Sequence, residues 1–164
     1  DKPVVAAVTG PAIGIGTTML LHCDLVYVSD EARLSMPFAS LGLVPEFGSS
    51  LLVPRLMGGG GAAEKLLLGD PFTAEIAVEC GIANAVLPAA EVLPHARRVA
   101  ERFNALPPNA VRESKRLLRE PDRAALLDAV KREAAVFTAQ LSSAEAREAM
   151  QAVLEKRKPD FSKF

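Results

Sequence analysis

A short apolar strand that runs into a glycine-rich turn most constrains how this chain can fold. Residues 4–8 form an apolar, partly β-branched run that Gly10 closes, and this pattern predicts a buried strand followed by a turn. Gly14 and Gly16 then open a short apolar helix, and residues 25–28 follow as a second strand. Because strand, helix and strand alternate in this way, the sequence predicts an α/β fold.

The rest of the chain divides into further α/β structure and a helical tail. We predict a strand over 33–35, a loop or short helical turn over 37–45, a helix opened by residues 46–50, a flexible connection at the four glycines 58–61, a helix over 62–68, a helix capped by Thr73, and a strand over 83–87. After Pro88 only helices are predicted. They cover 92–103 and 109–118, stop at Pro121, and resume as two more, the last opened by a capping box of Ser142 and Glu145. The two predicted regions are therefore 1–88 and 89–164.

Composition narrows the classes of partner. The 164 residues are 49% hydrophobic and include 19 basic and 20 acidic side chains, a net charge of -1, so the charge favours neither a nucleic acid nor an anionic membrane. Cys23 and Cys80 are far apart, and His22 beside Cys23 makes a poor metal pair. We therefore expect no metal site, and two free thiols in a reducing compartment, the cytoplasm.

The glycine-rich loop 10–16 is open to three interpretations. A phosphate or dinucleotide site is one, but the loop lacks the Gly-Lys-Ser/Thr ending of a P-loop, and the third glycine of a dinucleotide fingerprint falls on Met19. Backbone N–H groups at such a helix start could instead bind a developing oxyanion. The plainest interpretation is a tight packing turn.

Several motifs resemble, in the same order, the core of the crotonase (enoyl-CoA hydratase/isomerase) superfamily. They are residues 2–8, 10–16, 23–27, 41–45 with Gly48, 69–81 and 155–161. The resemblance covers essentially the whole chain and implies the later part of a spiral of ββα units, followed by an all-helical C-terminal region that forms homotrimers or hexamers. The family's N-terminal units have no counterpart before Asp1. We expect part of a longer enzyme rather than a short homologue that has lost activity.

The same resemblance indicates which residues would carry the chemistry. Hydratases of the family use two glutamates to activate water, and the matching positions here are Thr18 and Phe38, neither of which can act as an acid or base near neutral pH. Isomerases of the peroxisomal type place one carboxylate after a Leu-Gly-x-x-Pro motif, and here that residue is Glu46. The resemblance further implies a backbone N–H of Ile15 in the oxyanion hole, and a substrate pocket formed by Thr18, Phe38, Leu41 and Leu43.

We therefore expect an enoyl-CoA isomerase in which Glu46 moves a proton from C2 to C4 of a 3-enoyl-CoA. Coenzyme A would enter only as part of the acyl-CoA thioester substrate, with no other cofactor. Two alternatives remain. One is a non-catalytic crotonase-like protein that binds acyl-CoA or only oligomerises, in which Glu46 is an ordinary first-turn glutamate stabilised by a helix dipole. The other is an enoyl-CoA hydratase with an atypical site.

Overall fold

The computed structural model describes residues 2–164 and confirms an α/β architecture. Within these residues, six short strands form two three-stranded sheets. The strands are β1 (Val5–Val8), β2 (Ala12–Ile13), β3 (Leu25–Ser29), β4 (Arg33–Ser35), β5 (Phe72–Thr73) and β6 (Ala85–Leu87). The first sheet has the order β1-β3-β6 and is parallel throughout. The second has the order β2-β4-β5, with β2 parallel and β5 antiparallel to β4.

Helices connect the strands and make up most of the chain after β6. They are α1 (Ile15–Thr18), α2 (Ser49–Ala63), α3 (Ala74–Glu79), α4 (Ala89–Arg102), α5 (Pro108–Leu141) and α6 (Ala144–Leu154). A 3-10 turn at Met19–His22 extends α1, a second lies at Ala39–Leu41 and a third at Phe103–Ala105, and a π-helical turn at Glu64–Leu68 extends α2.

Strand β3 separates two clusters of buried side chains. Val26 and Val28 belong to the main core, which joins both sheets to α2 and α3. Tyr27, between them, belongs to a smaller cluster with Val92 and Ala96 of α4. This division follows from the alternation of side chains along a strand, which sends neighbours to opposite faces. The first helix after residue 88 therefore covers one face of the parallel sheet, while the division at that residue stays a prediction.

Helix α5 corrects the prediction that Pro121 ends a helix. The helix continues without interruption from Pro108 to Leu141. A proline inside a helix leaves the carbonyl four residues earlier without its N–H partner. Here that carbonyl belongs to Leu117, a residue that is 62% exposed, so the proline lies on a stretch of the helix that faces solvent.

The glycine run and one helix cap also differ from prediction. The backbone leaves the helical conformation at Gly58, where φ is 71° and ψ is 173°, and residues 59–61 are helical rather than part of a flexible connection. Only glycine adopts such a conformation readily. The hydroxyl that caps α6 is that of Ser143, which accepts from the Ala146 N–H at 3.0 Å, and not that of Ser142. Thr73 caps α3 as predicted, accepting from the Ile76 N–H at 3.5 Å.

None of the helices within residues 2–164 combines the length and the apolar character needed to cross a membrane.

Candidate active site

Glu46 lies in the loop that leads into α2, three residues before the helix begins at Ser49. Its backbone carbonyl accepts hydrogen bonds from the Ser49 N–H at 3.1 Å and from the Ser49 hydroxyl at 2.7 Å. Phe47 and Gly48 follow with φ of 58° and 79°, in the left-handed region that a bulky side chain such as Phe rarely adopts. The prediction that residues 46–50 open a helix is confirmed, and a sharp turn separates Glu46 from the first turn of α2.

The carboxylate of Glu46 is bound by Thr18, a fully buried residue of α1. The hydroxyl Oγ1 of Thr18 donates to Oε1 of Glu46 at 2.6 Å. A short hydrogen bond from a hydroxyl to a carboxylate belongs to the stronger class of side-chain interactions. The structure thus brings together two residues that are 28 positions apart in the sequence, and within residues 2–164 no hydrogen bond engages Oε2 of Glu46.

Ile15 is the first residue of α1, where backbone N–H groups have no partner inside the helix. Gly14 precedes it with φ of 57° and ψ of -119°, and the N–H of Gly14 donates to the Ser35 carbonyl at 2.9 Å. This fixes the loop to β4. Within residues 2–164 no backbone carbonyl accepts a hydrogen bond from the Ile15 N–H. That N–H is therefore available to an acceptor on a ligand.

The residues predicted to form the substrate pocket lie in two places. Thr18 is beside Glu46, whereas Phe38, Leu41 and Leu43 share one turn in which the N–H groups of both leucines donate to the Phe38 carbonyl, at 3.0 and 2.9 Å. Phe38 is buried, and its ring atom Cε1 would lie 3.9 Å from a Cβ placed on Gly14. The aromatic ring is thus close to the loop that carries Ile15. The pocket role of all four side chains stays a prediction.

Two side chains to which the sequence assigned no role at this site hold the turn before α2. Nε2 of His22 donates to the Phe47 carbonyl at 2.7 Å, and the two rings lie 4.3 Å apart. Glu133 of α5 is 7% exposed and binds two N–H groups, that of Gly48 with Oε2 at 2.6 Å and that of Ser50 with Oε1 at 2.8 Å. The glutamate that stabilises the start of α2 is therefore Glu133 and not Glu46.

The sequence does contain a signal for Glu133. Leu126, Val130 and Phe137 recur at helical spacing on one side of α5, and residue 133 falls on the same side. An acidic residue within an apolar stripe requires a partner, because a buried carboxylate without hydrogen bonds is strongly unfavourable. The stripe alone does not identify that partner.

Helix α5 also binds the C-terminal end of the helical segment that starts at Ile15. Nη2 of Arg119 donates to the Cys23 carbonyl at 2.8 Å, and Nζ of Lys115 lies 2.6 Å from Oδ2 of Asp24. Burial raises the pKa of Asp24, but hydrogen bonds from Lys115 and the Val4 N–H outweigh it and hold the pKa below its ordinary value. One helix thus contacts both the segment that carries Thr18 and the turn that carries Glu46.

A cavity of about 450 Å³ lies beside the Lys115–Asp24 ion pair, between the start of β3 and the junction of α4 and α5. Leu25, Phe103, Leu106 and Val111 are among its lining residues, and Glu46 is not. In the part of the chain that the structure describes, no cluster of three or more His, Cys, Asp or Glu side chains could hold a metal ion.

The sequence profile of a family described as Enoyl-CoA hydratase/isomerase matches residues 1–163. The chain is 32% identical over 161 residues to the 2,3-dehydroadipyl-CoA hydratase of Escherichia coli (strain K12), an alignment that covers 98% of this chain and 63% of that protein. It is 41% identical over 122 residues to enoyl-CoA delta isomerase 2 of Rattus norvegicus, covering 74% of this chain and 31% of that protein.

Solved structures of the same family also match this chain. An enoyl-CoA hydratase/isomerase from Pseudoalteromonas atlantica T6c matches with a TM-score of 0.93 at 43% identity, covering 98% of this chain and 64% of that one. The chain spans less than two thirds of the length of these relatives. Since hydratases and isomerases both occur among the relatives at modest identity, the comparisons do not separate the two reactions.

Proposed function

Because the chain belongs to the enoyl-CoA hydratase/isomerase family and has its crotonase-like α/β fold, we propose that it carries the catalytic base of an enoyl-CoA isomerase. The reaction moves the double bond of a 3-enoyl-CoA to the trans-2 position. The observation that carries the proposal is the hydrogen bond from Thr18 Oγ1 to Glu46 Oε1. It gives Glu46 a fixed carboxylate with one free oxygen, which is what a single acid/base requires.

The proposed reaction uses one carboxylate twice. Oε2 of Glu46 removes a proton from C2, the electrons of the C–H bond enter the thioester, and the thioester oxygen becomes an enolate. The free N–H of Ile15 donates to that oxygen and lowers the energy of the charge that develops there. The protonated Glu46 then returns the proton to C4, so that the double bond lies between C2 and C3 and the carboxylate is regenerated.

Thr18 and Phe38 argue against hydration by two glutamates. The buried threonine already donates its hydroxyl proton to Glu46, and the phenylalanine has no proton to exchange. Hydration needs a water molecule that is activated on one side and a proton donor on the other. In the described residues around Glu46, Thr18 supplies neither, and we therefore place isomerisation first.

A hydratase is the second candidate, and one observation favours it. The crotonyl-CoA hydratase of Syntrophomonas wolfei is 35% identical over 161 residues, whereas the rat isomerase aligns over only 122 residues. Glu46 would then activate water by itself. A non-catalytic acyl-CoA-binding protein is the third candidate.

We further propose that coenzyme A takes part only as the carrier of the acyl group, and that the helical region assembles the protein into homotrimers or hexamers. Large apolar side chains that face solvent on α5 and α6 support the assembly; they include Leu117, Leu118, Val153 and Leu154. Large apolar side chains that face solvent in a monomer become buried where subunits pack together. The cytoplasmic location stays a prediction.

The decisive experiment compares two reactions on the full-length protein. Isomerisation of trans-3-hexenoyl-CoA and hydration of crotonyl-CoA are measured for the wild type, for Glu46→Gln, and for Glu79→Gln as a control at an exposed glutamate of α3. We expect isomerisation by the wild type, a loss of about a hundredfold or more in Glu46→Gln, and full activity in the control. Hydration without isomerisation would favour the second candidate, and the absence of both reactions the third.

A further inference from the structure

We propose that Glu133 of α5 is a positioning residue, which sets the place of the Glu46 carboxylate through the turn between them. The inference rests on the proposed function, since it assigns a role in the reaction of Glu46. The start of α2 lacks a side-chain cap from its own N-cap residue. The N-cap residue there is Gly48, which has no side chain to bind the first N–H groups of the helix.

Glu133, 85 residues from Gly48 in the sequence, binds N–H groups at the start of α2 instead. Each of its two carboxylate oxygens accepts one N–H, and its side chain is almost fully enclosed. A Cβ on Gly48 would overlap the side chain of Leu126, also on α5. The absence of a side chain at residue 48 therefore permits the close approach that brings Glu133 to the backbone. A local Ser or Asp cap would stabilise α2 equally well, but it would not connect the turn to α5.

The turn itself needs to be held. Phe47 has a left-handed φ of 58°, a conformation that costs about 1–3 kcal/mol for a residue other than glycine and persists only when its surroundings fix it. His22 binds the Phe47 carbonyl on one side and Glu133 binds the next N–H on the other. If Phe47 relaxed to an ordinary conformation, Glu46 would move relative to Thr18.

Helix α5 also contacts the segment that carries Ile15 and Thr18. Arg119 binds the end of the segment that begins with Ile15 and contains Thr18. Arg119 and Glu133 are separated by 14 helical residues, or about 21 Å at 1.5 Å per residue. Helix α5 thus fixes the base, through Glu133, relative to the oxyanion donor, through Arg119. In such a site a displacement of 1 Å can lower the rate by about a hundredfold.

Glu133→Gln is the informative substitution because it retains the size of the side chain. A glutamine offers one acceptor oxygen and one NH2 group, so either the Gly48 or the Ser50 N–H loses its acceptor. Glu148→Gln is the matched control. Glu148 on α6 is also a carboxylate that accepts a backbone N–H, that of Asp160 at 2.9 Å, and it does not contact Glu46.

Three measurements on the full-length protein test the proposal. We expect Glu133→Gln to lower kcat by roughly tenfold to a hundredfold, to leave KM within about twofold, and to increase the deuterium found at C4 of the product when the reaction runs in D2O. The last effect follows because a displaced carboxyl group returns its proton more slowly and exchanges it with solvent first. Hydrogen exchange by mass spectrometry should become faster in the peptide that spans residues 46–52. The control should match the wild type in all of these.

Each outcome is decisive. A kcat and a deuterium content equal to those of the wild type would overturn the inference, and so would a parallel loss of kcat and structure throughout the protein, which indicates a structural role alone. If the wild type itself does not isomerise 3-enoyl-CoA, the proposed function fails, and hydrogen exchange then decides the inference. Unchanged exchange at residues 46–52 in Glu133→Gln would show that Glu133 does not hold the turn.

Discussion

Replacement of Thr18 by valine removes the hydrogen bond to Glu46 and little else. Valine has nearly the shape of threonine, and the residue is completely buried on α1. The lost interaction is a 2.6 Å hydrogen bond from a hydroxyl to a carboxylate, and hydrogen bonds to charged groups contribute about 1.5–3 kcal/mol. If all of that free energy serves to orient Glu46 for proton transfer, kcat should fall by about tenfold to 150-fold, since 1.36 kcal/mol corresponds to a factor of ten.

The assay is the isomerisation of trans-3-hexenoyl-CoA by full-length wild type, Thr18→Val and Thr18→Ser, with thermal unfolding of each. The serine variant keeps the hydroxyl group and should retain most of the activity. We expect the valine variant to unfold within a few degrees of the wild type, because the exchange conserves volume. Wild-type kcat in Thr18→Val would refute the view that this hydrogen bond orients the base. An equal loss in Thr18→Ser and Thr18→Val would place the effect in packing instead.

Two further predictions concern the packing and charge of α6. Gly42→Ala should lower the free energy of unfolding by about 2–4 kcal/mol, because Gly42 has a φ of 67° and a Cβ there would lie 2.6 Å from the Ala146 nitrogen. Thermal unfolding tests this, with Gly59→Ala as the control because a Cβ on Gly59 would have nothing within 4 Å. Equal unfolding midpoints for the two variants would contradict the prediction. Hydrogen bonds from Arg157 and the Asp160 N–H lower the pKa of Glu148 from 4.5 to about 2, so its stabilisation is complete above pH 4.5 and disappears as the pH falls through about 2. The difference in unfolding midpoint between wild type and Glu148→Gln should therefore be present at neutral pH and vanish at that acidic limit, and a difference independent of pH would be inconsistent with the ion pair.

Local patterns were sufficient to predict most of the strands. The run at 4–8 and the run at 25–28 are β1 and β3, paired in register from Val5 with Leu25 to Val8 with Val28. Such runs are apolar because a parallel strand is covered on both faces. Local patterns were not sufficient where one residue type is compatible with two structures. A proline ends many helices, but Pro121 lies inside α5, on a stretch that faces solvent.

The candidate site was only partly accessible to the same reasoning. Family motifs made Glu46, Ile15 and Thr18 candidates, but nothing in their local sequence places the Thr18 hydroxyl beside the Glu46 carboxylate. Glu133 was more difficult still. Its hydrogen bonds to Gly48 and Ser50 span 85 and 83 residues of the sequence. The pattern of apolar residues along a helix shows which side chains are buried, but it does not show which backbone group a buried side chain contacts.

That separation affects when the site forms during folding. Contacts between distant segments carry a large loop-closure entropy and form late compared with local helices. The turn beside Glu46 is bound by Glu133 of α5, so a ribosome-bound chain that ends before α5 can have its sheets and its glycine loop but not a fixed turn. The turn therefore reaches its final geometry only after α5 has been synthesised and has docked.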